Sequence, residues 1–113
     1  MLIKTKSILS KKSKEDGLRI CIMRHVRPEY DFDLWMPKLA PSERLLQQYV
    51  LKKQITWKEF EPKFLKQLQR QTRMLKFLKK ISQDQNITLL CVEEAPTYCH
   101  RRLVAEAIQR LNK

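Results

Sequence analysis

The sixteen residues ITLLCVEEAPTYCHRR, from Ile87 to Arg102, decide how this chain folds. Ile87 to Cys91 is a short run of apolar and β-favouring side chains, which predicts a buried strand. The amphipathic stretch from Cys99 to Leu111 predicts a helix, so the segment reads as strand, loop and helix start. Such a junction sets free backbone N–H groups and the positive end of a helix dipole beside a thiol, an imidazole and two guanidiniums. That combination makes an anion site.

Moving outward, Leu18 to Met23 (LRICIM) is nearly continuous in apolar character and predicts a second, central strand, with Arg24 and His25 leaving its end. Leu2 to Leu9 predicts a first strand at a sheet edge, because Lys4 and Lys6 interrupt it and the polar run from Ser10 to Asp16 follows. Gly17, the only glycine, ends that loop. From Val26 to Pro41 three prolines stand among Tyr30, Phe32 and Trp35, which predicts an ordered loop that packs its own side chains and could act as a lid.

Two helical segments precede the Ile87 strand. Pro41-Ser42-Glu43 opens one that runs to about Lys53, with Leu45, Leu46, Tyr49 and Val50 on one face. Thr56-Trp57-Lys58-Glu59 has the capping-box pattern and opens a long helix to about Ser82. Trp57, Phe60, Phe64, Leu68, Leu75 and Leu78 share its inner face. Pro62 lies too deep for a first-turn proline and predicts a kink, or a helix that begins there. The order of elements makes residues 1–113 a single small α/β domain, a short, mostly parallel sheet flanked by helices. If the LRICIM and ITLLCV strands are parallel, Arg24 and His25 lie beside Glu93, Glu94 and the Cys99 helix start, because α/β sites form at strand carboxyl ends.

With 113 residues, 42% of them hydrophobic, the chain has room for one core. Its net charge of +12 and pI near 9.9 call for a partner that carries negative charge. Lys63, Lys66, Arg70, Arg73, Lys76, Lys79 and Lys80 form a stripe along the outer face of the long helix. It reads either as a solvated helix face or as a phosphate-contact surface for nucleic acid. No aromatic is expected to interleave with it, which counts against single-strand stacking. There is no apolar run long enough to span a bilayer and no secretory h-region, so a cytoplasmic protein without membrane partners is expected. The exposed sheet edge leaves room for a homodimer. Three cysteines, Cys21, Cys91 and Cys99, make no disulfide framework.

Cys99 has every factor that lowers a thiol pKa: a helix start, His100 and two arginines. It reads as an activated thiolate or as a small core residue. Cys21 and Cys91 read as core. Glu93 directly follows a buried strand and is either the salt-bridge partner of Arg24 or Arg101 or a proton carrier. A metal site is not expected. Cys99 and His100 would point about 100° apart on one helix, and no Cys-x-x-Cys or His-x-x-x-His spacing occurs. Nor is there a Gly-rich phosphate loop, and no cofactor is expected.

Cys91-Val-Glu93-Glu94-Ala-Pro96 leading to Cys99-His100-Arg101, preceded by Leu39-Ala40-Pro41-Ser42 and Trp57-x-x-Phe60, resembles the proteins grouped as domain of unknown function 488. The resemblance implies an α/β fold whose signature site is formed by Cys91, Glu93, Cys99, His100 and Arg101. Arg24 looks like an arginine often found at the end of the early strand in that family. Glu94 stands where members often carry a basic residue.

These readings converge on a site for an anionic small molecule or nucleotide-like ligand. Arg24, Arg101 and Arg102, with Cys91 beside them, would hold the anion, Cys99 would be a nucleophile, and Glu93 with His100 would orient or move protons. The competing reading is a nucleic-acid-binding module in which the Cys-His-Arg motif is structural. A redox pair of Cys91 and Cys99 is a third.

Overall fold

The computed structural model describes residues 3–92 and 99–111. Glu93 and Glu94 lie outside them. Four parallel strands, β1 (Ile3–Ser7), β2 (Leu18–Cys21), β3 (Leu34–Trp35) and β4 (Ile87–Cys91), form one sheet in the order β1-β4-β2-β3. The chain is thus an α/β protein, with β4 in the interior and its five residues all buried. Leu18 pairs with Ile87 and Cys21 with Leu90, so β2 and β4 end side by side. As its lysines predict, β1 is an edge. The Lys6 ammonium leaves that edge to pair with Asp16 at 3.1 Å.

Alternation along the strands sorts the two faces. Ile20, Ile22, Ile87 and Leu89 join the main core with residues of all four helices: α1 (Glu43–Leu46), α2 (Trp57–Leu68), α3 (Thr72–Asp84) and α4 (His100–Gln109). Cys21 and Leu90 point the other way and pack with Ile8 beneath Met23, Val26, Tyr30 and Phe32. The proline-rich loop therefore packs its own apolar side chains, as predicted, and covers the face opposite the main core. It also holds an element that the loop expectation misses, the two-residue β3. Leu34 and Trp35 pair with Ile20 and Cys21, and the Trp35 indole donates to the Met23 carbonyl at 2.7 Å. A strand of two residues is too short for any alternation to show in sequence.

Local chemistry explains the helix starts. The Ser42 hydroxyl accepts from the Leu45 N–H at 3.2 Å, and α1 continues as a π-helical turn over Gln47–Leu51. At α2 the Thr56 hydroxyl accepts from the Glu59 N–H at 3.3 Å, while the Glu59 carboxylate accepts from the Thr56 N–H at 3.1 Å. The helix starts at this box, at Trp57, and continues past Pro62. The carbonyl that the missing Pro62 N–H would have bonded belongs to exposed Lys58. The long helix expected to Ser82 divides instead at a 3-10 turn, Gln69–Gln71, where the polar run QRQTR has no side chain to anchor it in the core.

Beneath β2, the buried Arg19 donates from Nη1 to Asp16 and from Nη2 to the Asp31 carbonyl at 3.0 Å. Burial works to raise the Asp16 pKa. The Ser13 N–H, Lys6, Arg19 and the Ser13 hydroxyl outweigh it and hold the carboxyl well below the usual carboxylate range. Gly17 follows with φ 63°, and a Cβ there would run into the Asn86 carbonyl, so only glycine fits.

Candidate active site at the strand ends

Parallel β2 and β4 finish at one end of the sheet, and α4 begins there. The helix start differs from the expected one in a way that matters. Cys99 is not in the first helical turn but is the extended residue before it, with φ −128° and ψ 139°. Its side chain therefore does not follow the 100° step to His100. Instead the Cys91 and Cys99 sulfurs and a ring nitrogen of His100 converge, all within 4.8 Å of one another. The expectation that Cys99 and His100 diverge is overturned for this reason. The same three atoms could also hold a soft cation, as two thiolates and an imidazole do elsewhere.

The histidine is oriented by backbone. His100 Nε2 lies 2.5 Å from the Ile22 carbonyl, which only accepts, so Nε2 carries the hydrogen. Nδ1 then faces the Cys91 sulfur at 3.8 Å. Edge-on contact with Phe64, ring centroids 5.6 Å apart, fixes the other side of the ring. Arg101 is 1% exposed, and its Nη1 donates to the Cys91 carbonyl at 3.4 Å, which ties the start of α4 to the end of β4.

These groups give Cys99 an unusual titration. A hydrogen bond from the Cys91 thiol favours the thiolate most and burial opposes it. The hydrogen bond and charge of His100 and the Arg101 backbone N–H then bring the pKa down to about 5. Cys21, on the far face of the sheet, is pushed the other way by burial.

Above the sulfurs opens a cleft of about 190 Å³. Cys91, Cys99 and His100 line it together with Arg24 and His25 from the end of β2 and Tyr49, Trp57 and Phe60 from the helices. Arg24 donates from Nε to the Pro41 carbonyl at 3.1 Å and from Nη2 to the Ala40 carbonyl at 3.5 Å, which fastens the strand end to the approach of α1. His25 is exposed and pairs with Glu43.

The residues singled out from sequence thus divide. Cys91, Cys99, His100 and Arg24 meet in one cleft. Arg101 is buried behind it. Arg102 turns away, pairing with Glu106 at 2.9 Å and Glu61 at 3.3 Å and lying 5.9 Å from the Trp57 ring centroid. In sequence the aromatic wall reads only as core: a helix face bears the same pattern whether it meets another element or borders a cleft.

A family described as the Active DUF488-N3 subclade, DUF488-N3a, matches residues 3–112. This chain belongs to that family. The resemblance carried by the Cys-His-Arg motif therefore holds, and in this DUF488-N3a chain the motif's cysteine and histidine are at the cleft floor. No curated protein and no solved structure matches the chain.

Proposed function

We propose that this DUF488-N3a chain is a thiol-dependent enzyme acting on a small anionic, nucleotide-like molecule held at the strand ends. The observation that carries the reading is the convergence of Cys91, Cys99 and His100 within 4.8 Å on the floor of a cleft bordered by Arg24. Cys99 is the nucleophile, and the Cys91 thiol steadies its thiolate. His100, with its Nε2 hydrogen committed to Ile22, offers Nδ1 to the thiols as the proton acceptor. Arg24 keeps guanidinium N–H groups beyond its two carbonyl bonds, and these suit an anionic group at the cleft wall. Tyr49 and Trp57 suit the apolar, ring-bearing part of the same molecule. Arg101 acts through Cys91 as a positioning residue. Glu93, which follows two residues after Cys91, takes the part of a proton carrier.

The reading is tested by titrating the thiolate, with a chelator present. Ultraviolet thiolate absorbance of the native protein minus that of Cys99→Ser reports the titration lost with Cys99, and iodoacetamide labelling resolved by peptide mass spectrometry assigns it to Cys99 rather than Cys21 or Cys91. A midpoint near 5, with alkylation of Cys99 already at its plateau at neutral pH, is expected. A midpoint near the free-thiol value of about 8.5 would sink the nucleophile assignment.

A further inference from the structure

The α2–α3 face that points away from the core holds a side chain the charge pattern does not explain. Arg73, Lys76, Phe77 and Lys80 stand at i, i+3, i+4 and i+7 of α3, the spacing that places four side chains on one helix face. The opposite face carries Leu75, Leu78 and Ser82 into the core. Phe77 falls outside that apolar seam and is 52% exposed, so an aromatic does interleave with the basic stripe, contrary to the expectation from sequence. Lys79 is the exception among the cations. Its ammonium donates to the Leu111 carbonyl at 2.6 Å and serves the end of α4. The other cations of the stripe, continued by Lys63, Lys66 and Arg70 across the 3-10 turn, are exposed, and among the described residues no acidic group pairs with them.

From this arrangement we infer a docking surface for single-stranded nucleic acid, in which the cations of α3 take backbone phosphates and Phe77 takes the face of an unpaired base. Charge complementarity calls for a polyanion. The exposed ring selects among polyanions, because a duplex keeps its base faces stacked inside while a single strand presents them. A lipid surface fits poorly: a membrane-lying helix needs a broad apolar face, and that of α3 is already spent on the core. This surface is independent of the cleft, since Trp57 and Phe60 line the cleft from the inner side of α2.

The test uses the full chain, a fluorescently labelled thymidine homo-oligomer, the matching duplex and vesicles containing anionic lipid. Single-strand binding at low salt is expected, with log affinity falling linearly with log salt. Phe77→Ala should weaken it about five- to 150-fold, the worth of one stacked base, with the salt slope unchanged. Lys76→Glu with Lys80→Glu should instead flatten the slope by about 0.7 for each phosphate no longer neutralised. Absence of binding at low salt, duplex or vesicle binding at least as tight as single-strand binding, or an unaltered affinity in Phe77→Ala would each overturn the inference. Thermal unfolding and the Cys99 titration should be the same in Phe77→Ala as in the native chain, which separates this result from the thiol reading.

Discussion

Cys99 shows how one residue's backbone changes its chemistry. Had it been the first residue of the helix, its side chain would have pointed away from His100; as the extended residue before the helix it meets both His100 and Cys91. Because the Cys91 hydrogen bond is the leading cause of the lowered pKa, Cys91→Ala should move the midpoint of Cys99 upward from about 5, read by the same thiolate absorbance. Thiolate stabilisation also makes folding pH-dependent. A folded pKa below the unfolded one contributes stability that is complete above about 8.5 and lost as pH falls through the folded value near 5. Asp16 obeys the same sign at lower pH, its contribution present above the usual carboxylate range and lost as acid titrates it through its depressed value. Asp16→Asn removes the charge facing Arg19, which is 1% exposed, and should cost about 3–5 kcal/mol in urea unfolding. A loss below about 1 kcal/mol would mean that Arg19 finds other compensation.

Elements begin where their local chemistry says and end where the core releases them. The capping box at Thr56 and the strand runs are legible in sequence because each depends on neighbours within four residues. Thr56→Ala removes an acceptor for the Glu59 N–H and should destabilise the protein by about 1 kcal/mol, measured by chemical denaturation. Gly17→Ala should be more damaging, since a positive φ and the Asn86 carbonyl both oppose a Cβ. The division at Gln69–Gln71 is less legible. Apolar spacing continues from Leu68 to Leu75 as though one helix ran through, and only the lack of a core anchor between them gives the break away. Phe77 is hidden for the reverse reason: an aromatic in a helical pattern reads as core until its neighbours are placed.

For the whole molecule, the parallel order β1-β4-β2-β3 brings residues from the two ends of the chain to one cleft, and the helices needed for that crossover supply its wall. Among the described residues no helix is long and apolar enough to cross a membrane. A net charge of +12 on 113 residues opposes compaction at low ionic strength. Added salt should therefore raise the melting temperature between low and physiological ionic strength, as the Debye length shortens from roughly 30 Å to 8 Å. Calorimetry that showed a falling melting temperature would instead mean that the ion pairs of Asp16 and Arg102 outweigh the self-repulsion.

By itself the sequence determined the α/β class, the two strands that matter, the starts of α1 and α2 and the place where chemistry gathers. Alternation, caps and dipoles are local, and the strand-loop-helix junction at Ile87 to Arg102 records them directly. Tertiary structure alone decided which of the marked residues meet. It closed Cys91, Cys99 and His100 into one cluster, buried Arg101 behind it and turned Arg102 outward to two glutamates. Those outcomes follow from the packing of α4 against β4 and α2 and from the extended backbone at Cys99. Neither leaves a trace in residue spacing, because each depends on groups far apart in the chain or on a single pair of dihedral angles.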